Sequence, residues 1–248
     1  MEKKIGWTSF IIAFMLVFMM WFVNTIDRLL PVELYQYGVY PLRPSGLIGI
    51  LTGPFIHSTA DFGHILNNSA PTFVLSWLLF YHYRKVALKS FLLIYLLTGI
   101  GVWLLARENY HIGMSGVIYG MASFLVVSGF FRQNIRVAGI SLLVIFMYGS
   151  IIWGIFPQEL NVSWEGHAMG LFSGLIAAVI FRGKTHEIVK YRYEVEEELG
   201  IEPEEEYWTE EYALKKRLEK LQEMKPTVRY EFVPKELKVE SPKKDEEE

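Results

Sequence analysis

The chain has 248 residues, 52% of them hydrophobic and 15% aromatic, and a formal net charge of −3. That small charge joins two unlike parts: residues 1–182 carry 11 Lys+Arg against 7 Asp+Glu, and residues 183–248 carry 13 against 20. No basic arm or patch argues for a nucleic-acid partner, and the absence of cysteine excludes disulfides, thiolate metal sites and a cysteine nucleophile.

Lys3 and Lys4 precede an apolar run over 5–23, too long for a signal-peptide core and without a small-residue cleavage site. It reads as the first membrane helix. A spanning helix needs about 20 mostly apolar residues. Six segments fit roughly, at 6–24, 63–82, 87–106, 115–131, 135–156 and 167–182. The predicted fold class is therefore an all-α, polytopic membrane bundle of six helices over 1–182, with a charged tail over 183–248.

Loop charge orients the bundle. Lys3, Lys4, Arg84, Lys85, Lys89, Arg132, Arg136, Arg182 and Lys184 all fall on one side of a six-span arrangement, which becomes the cytoplasmic side. Arg28, Arg43 and Arg107 lie on the other, diluted by Asp27, Glu33, Asp61, Glu108, Glu159 and Glu165. Both ends of the chain are then cytoplasmic. The lack of a transit-like N-terminus favours a prokaryotic plasma membrane. The segment 25–62 is too apolar for a solvated loop, with Leu47, Ile48, Ile50, Leu51, Phe55 and Ile56, and is expected to pack on the bundle at the outer interface. In the tail, 187–199 and 206–224 suit charged helices, and the end from Ser241 reads as disordered. A solvated appendage is the plain reading of the tail; a cytoplasmic partner is the alternative.

The second, fourth and sixth segments carry the polar residues, and all three begin on the outer side. His64 and Asn68, an i, i+4 pair, open the second. Ser115 opens the fourth and His167 the sixth. Polar groups in a bilayer are costly and gather where they face protein or water. One of them alone is most simply a packing or hydrated residue; four at one depth suggest a site. A serine hydroxyl beside an imidazole is a nucleophile with its base. The Ser115 N–H, His64 ring N–H and Asn68 amide are candidate donors for an oxyanion. No Asp or Glu is placed to orient His167, so a dyad is expected rather than a triad. Tyr119, one turn after Ser115, can pack on the imidazole. Gly166, Gly170, Gly174 and Ala178 form a small-residue face that suits close approach to Gly116 and Gly120. His57 and His111 read as outer-loop surface histidines, and His82 and His186 fall on the cytoplasmic side.

These residues resemble the rhomboid intramembrane serine proteases across roughly 5–182. Gly113-Met114-Ser115-Gly116 is similar to the family's Gly-x-Ser-Gly motif, Gly166-His167-Ala168-Met169-Gly170 to its last-helix motif, and His64-Ile65-Leu66-Asn67-Asn68 to its His-x-x-x-Asn motif. The resemblance implies Ser115 as nucleophile, His167 as base, His64 and Asn68 in the oxyanion hole, and Tyr119 stacked on His167. It also implies cleavage of single-span membrane proteins in or beside their membrane segment. Their route to the site would run laterally, past the fifth segment with Phe146, Tyr148, Trp153 and Phe156. Two features depart from the family: Gly166 stands where Ala is common, and the first outer loop lacks a Trp-Arg pair.

Two other readings compete. A catalytically silent member would bind membrane proteins without cutting them, yet both serine and histidine are present. A metal or transport site using His64, His111 and His167 would leave Ser115 and Asn68 unexplained. No cofactor motif is present.

Overall fold

The computed structural model describes residues 2–30, 32–131, 135–157, 162–183, 199–200 and 210–223. The expected cytoplasmic charges Arg132 and Lys184, together with Glu159, His186 and most of the tail, lie outside the described residues. Contacts divide the chain into two compact units, Met1–Glu187 and Ile188–Glu248.

The first unit is built from α1 (Glu2–Leu29), the single turn α2 (Gly49–Thr52), α3 (Phe62–His82), α4 (Ala87–Leu105), α5 (Ser115–Phe130), α6 (Ile135–Tyr148) and α7 (Trp164–Ile180). Six of them coincide with the six apolar segments. Among the described residues no β-strand forms. Local chemistry starts the helices: the Asp61 carboxylate accepts the Gly63 N–H at 2.8 Å, and the Ser163 hydroxyl accepts the Gly166 N–H at 3.2 Å. The fifth segment is not one helix. α6 tightens into a 3-10 segment over Gly149–Ile155.

Gly6–Leu29 and Ala87–Leu105 are long and apolar enough to cross a membrane. Ser115–Phe130, Ala138–Tyr148 and Trp164–Ile180 are shorter apolar helices. The exterior of this unit is oily: Phe14, Phe18 and Phe22 form an exposed stacked ladder on α1, and Phe146 on α6 is 88% exposed. Inside lie Ile65, Leu75, Leu79, Ile94, Met114, Met121, Phe124 and Leu125, all fully buried.

α5 and α7 meet backbone to backbone. A Cβ on Gly170 would collide with the Gly116 carbonyl, and one on Gly174 with the Gly120 carbonyl. From the other side, a Cβ on Gly116 would come within 2.9 Å of the Gly166 carbonyl oxygen. α4 closes on α7 through Gly101, where a Cβ would lie 2.8 Å from the Met169 sulfur.

Residues 32–61 pack on the bundle as a string of short turns. Val39 and His111 exchange two main-chain hydrogen bonds of 3.0 and 2.8 Å. Trp103 Nε1–H donates to the Arg43 carbonyl at 3.0 Å, and the Tyr95 hydroxyl to the Leu51 carbonyl at 2.6 Å. These contacts hold the loop without a Trp-Arg pair. Leu47, Ile48 and Leu51 nevertheless stay exposed, while Ile56 is buried.

In the second unit, α8 (Glu210–Glu223) carries Leu214, Leu218 and Leu221 exposed along one side and a 3.8 Å Lys216–Glu219 ion pair.

The α5–α7 contact has a direct test. Gly170→Ala should lower stability in detergent by about 2 kcal/mol or more, the scale of overpacking a tight contact. An unchanged unfolding midpoint would mean that the two backbones do not touch there.

Candidate active site

Ser115 is placed by the turn before it. Gly113 adopts φ +101°, open to glycine and strained for other residues. Its N–H donates to the Gly53 carbonyl at 2.9 Å. A Cβ there would also approach the His64 Nε2 to 2.7 Å. Met114 is fully buried, so the chain enters α5 along a fixed path.

His167 lies in the first turn of α7, buried, with Nε2 2.9 Å from the Ser115 Oγ. Its Nδ1 is 2.8 Å from the Gly154 carbonyl oxygen. A carbonyl can only accept, so Nδ1 carries the proton and Nε2 offers a lone pair to the Ser115 hydroxyl. The Tyr119 ring lies flat on the imidazole, with centroids 4.2 Å apart and planes 5° from parallel.

His64 and Asn68, one turn apart on α3, both face Gly113. His64 Nδ1 accepts the Ser58 N–H at 3.4 Å, which puts the ring proton on Nε2, the atom facing Gly113. Asn68 Nδ2 donates to the His64 carbonyl at 3.0 Å and lies 3.8 Å from where a Gly113 Cβ would stand. The structure thus gathers Ser115, His167, His64, Asn68, Tyr119 and Gly113 at one end of the bundle, while Gly116 and Gly170 bring their helices together. A cavity of about 40 Å³ touches Ser115 from the side of Tyr95, Thr98 and His111. That is room for ordered water.

Two histidines differ from their expected surface positions. His57 is 1% exposed and His111 is 6% exposed. His57 donates from Nδ1 to the Phe55 carbonyl at 3.2 Å and accepts the Met114 N–H on Nε2 at 3.5 Å. It sits 5.0 Å from the His64 ring and braces the turn before Ser115. His111 donates from Nε2 to the Arg107 carbonyl at 3.0 Å and accepts the Ser163 hydroxyl on Nδ1 at 2.6 Å. It ties the α4–α5 loop to the cap of α7. Hydropathy placed both residues in loops, and loops are ordinarily exposed. The apolar Phe55-Ile56 beside His57 was the available sign of burial.

Arg107 and Glu165 also differ from the sequence reading, which took them as diluting loop charges. They pair at 3.3 Å, with Glu165 buried, and Arg107 Nη2 donates to the Val162 carbonyl at 2.6 Å. The pair clamps the start of α7 two residues before His167.

Burial pushes His57 down to about 4; the neighbouring His64 pushes the same way, against the Phe55 carbonyl. Burial also lowers His111, opposed by the Arg107 carbonyl and Glu165. An unfolded histidine titrates near 6.5, so between about pH 6.5 and 4 the unfolded chain binds a proton that folded His57 does not. Stability should therefore fall as pH drops through that window. His57→Gln should make the fall shallower in unfolding midpoints measured against pH; an identical slope would mean that His57 is not held neutral.

Comparison with known proteins agrees with the motifs. The Rhomboid domain matches residues 44–184. Uncharacterized proteins of Mycobacterium tuberculosis and Mycobacterium bovis are 34% identical over 173 residues, covering 66% of this chain and 71% of theirs. An uncharacterized protein of Mycobacterium leprae is 31% identical over 176 residues, covering 65% of this chain and 67% of its own. A protein of Acanthamoeba polyphaga mimivirus, named as a rhomboid protein, is 30% identical over 144 residues, covering 55% of this chain and 77% of its own. With its helical bundle, oily exterior and matched domain, the chain belongs to the rhomboid family of integral membrane proteins.

Proposed function

We propose that this protein is an intramembrane serine endopeptidase that cuts single-span membrane proteins in or beside their membrane segment. The observation that carries this reading is the 2.9 Å approach of His167 Nε2 to the Ser115 Oγ, with the other ring nitrogen on a carbonyl. Ser115 attacks the scissile carbonyl carbon as its proton passes to His167 Nε2. The oxyanion is met by the Ser115 N–H, the His64 Nε2–H and the Asn68 amide. The imidazolium then protonates the leaving amine, and the bond between carbon and nitrogen breaks. Water, activated by the same His167, releases the acyl group from Ser115.

In this reading α1, α3, α4, α5, α6 and α7 each cross the bilayer. Their charged ends, including Lys85 and Lys89, face the cytoplasm, and the site opens on the other face. α5, with 16 residues, is about 24 Å long. The bilayer meets so short a span by thinning around it. A substrate helix must unwind there to expose its backbone, so Gly, Pro or polar residues near its end lower the cost.

A fluorophosphonate probe should label the purified, detergent-solubilised protein and fail on Ser115→Ala and His167→Ala. Labelling should also weaken on acidification, since an imidazolium cannot take the serine proton; a rate flat from about pH 8 to about 5 would contradict this base. Labelling that persists in Ser115→Ala would move the reactive group to another serine, with the Ser163–His111 pair first in line. No labelling at all, beside a labelled active rhomboid, would favour a silent client-binding protein.

Asn68→Ala should lower turnover of a cleaved membrane substrate about a hundredfold while the unfolding midpoint holds. Unchanged turnover would take Asn68 out of the oxyanion hole.

A further inference from the structure

Among the described residues, no carboxylate meets the Nδ1 of His167. The nearby Glu165 is held by Arg107 instead. Its place on the imidazole is taken by a main-chain carbonyl, that of Gly154 at 2.8 Å. Three features of the chain prepare this acceptor. The first is helix type: Gly154 sits near the end of the 3-10 segment Gly149–Ile155, where carbonyls begin to lack partners within the helix. The second is sequence: in a 3-10 pattern the next donor to the Gly154 carbonyl would be residue 157, which is Pro157 and has no N–H. The closing bond of the segment goes to its neighbour instead, from the Phe156 N–H to the Trp153 carbonyl at 3.2 Å. The third is space: a Cβ on Gly154 would collide with the Tyr119 hydroxyl and stand 3.1 Å from His167 Nδ1.

We propose that Gly154 is a positioning residue whose main-chain carbonyl, denied its 3-10 donor by Pro157, holds His167 in the Nδ1–H form, so that the base is aligned only while the 3-10 end of α6 is seated on Tyr119 and His167. This rests on the protease reading of Ser115 and His167. It limits how substrate reaches the site. Trp153 on this segment and Phe156, which caps it, are both exposed, so a substrate passing between them and the bundle would press on the base's own support. A displacement that carries Gly154 away disarms His167, and cleavage follows only once the segment is back in place. Access and chemistry are then separate steps coupled through one hydrogen bond.

The test combines a spectroscopic and a kinetic readout on the full chain in detergent. In Ser115→Ala labelled with ¹⁵N-histidine, His167 should show a protonated Nδ1 and an unprotonated Nε2, assigned by the signal lost in Ser115→Ala/His167→Gln. Gly154→Ala should slow fluorophosphonate labelling at least about tenfold and erode that signature. Pro157→Ala, which adds no bulk beside the ring and supplies a competing N–H, should slow labelling about fivefold, the scale of one hydrogen bond, with the unfolding midpoint kept. A protonated Nε2 in Ser115→Ala overturns the proposal. So does wild-type labelling in both variants. Slow labelling in Gly154→Ala alone, with His167 still protonated on Nδ1, reduces Gly154 to a spacer and overturns it as well. If the wild type never labels yet His167 carries its proton on Nδ1, the protease reading falls and the carbonyl bond stands.

Discussion

Everything at the Ser115 end of the molecule depends on how closely α5 and α7 approach. Gly170 and Gly174 lie against the carbonyls of Gly116 and Gly120, where no side chain fits. Lipid tails are as apolar as leucine, so the hydrophobic effect does little to drive two membrane helices together. Close backbone packing supplies the attraction, and it also sets a length. Ser115 and His167 each sit at the first turn of one helix of this pair, and only at this separation do their side chains reach 2.9 Å. The glycines cost helix propensity of about 1 kcal/mol each in water. Here the same residues fix the distance between Ser115 and His167.

Around that contact, three buried histidines are satisfied on one plan. His57, His111 and His167 each give one ring N–H to a backbone carbonyl, of Phe55, Arg107 and Gly154. Each accepts on the other nitrogen, from the Met114 N–H, the Ser163 hydroxyl and the Ser115 hydroxyl. Two of the three are therefore serine–histidine pairs, and the Ser163–His111 pair is the shorter. Its surroundings differ. Ser163 spends a lone pair capping α7 through the Gly166 N–H, whereas Ser115 stands two residues from Gly113, which His64 and Asn68 both face. The donors near the hydroxyl, more than the serine–histidine distance, separate a structural pair from a candidate nucleophile.

The first loop explains how a membrane site can be both polar and precise. Its main chain pairs with His111, its Gly53 carbonyl receives the Gly113 N–H, and its His57 braces Met114. Irregular backbone at membrane depth survives only when its polar groups are met by protein. Here the groups that meet them belong to the turn that presents Ser115. The loop and the site satisfy each other.

The sequence by itself determined the order of the apolar helices, because apolar runs are a property of the chain alone. It also singled out Ser115, His167, His64, Asn68 and Tyr119 as candidates that the fold brings together, since side-chain types at helix starts survive translation from sequence to depth. Tertiary structure decided the rest. The Gly154 carbonyl is invisible to a reading of side chains, because every residue has one and only packing says which one meets an imidazole. The burial of His57 and His111 and the pairing of Arg107 with Glu165 join residues dozens of positions apart, and a loop charge in one dimension gives no sign of its partner in three. The break of the fifth segment at Gly149 belongs here too: its apolar composition suits α and 3-10 turns alike, and the choice between them sets where Gly154 meets His167.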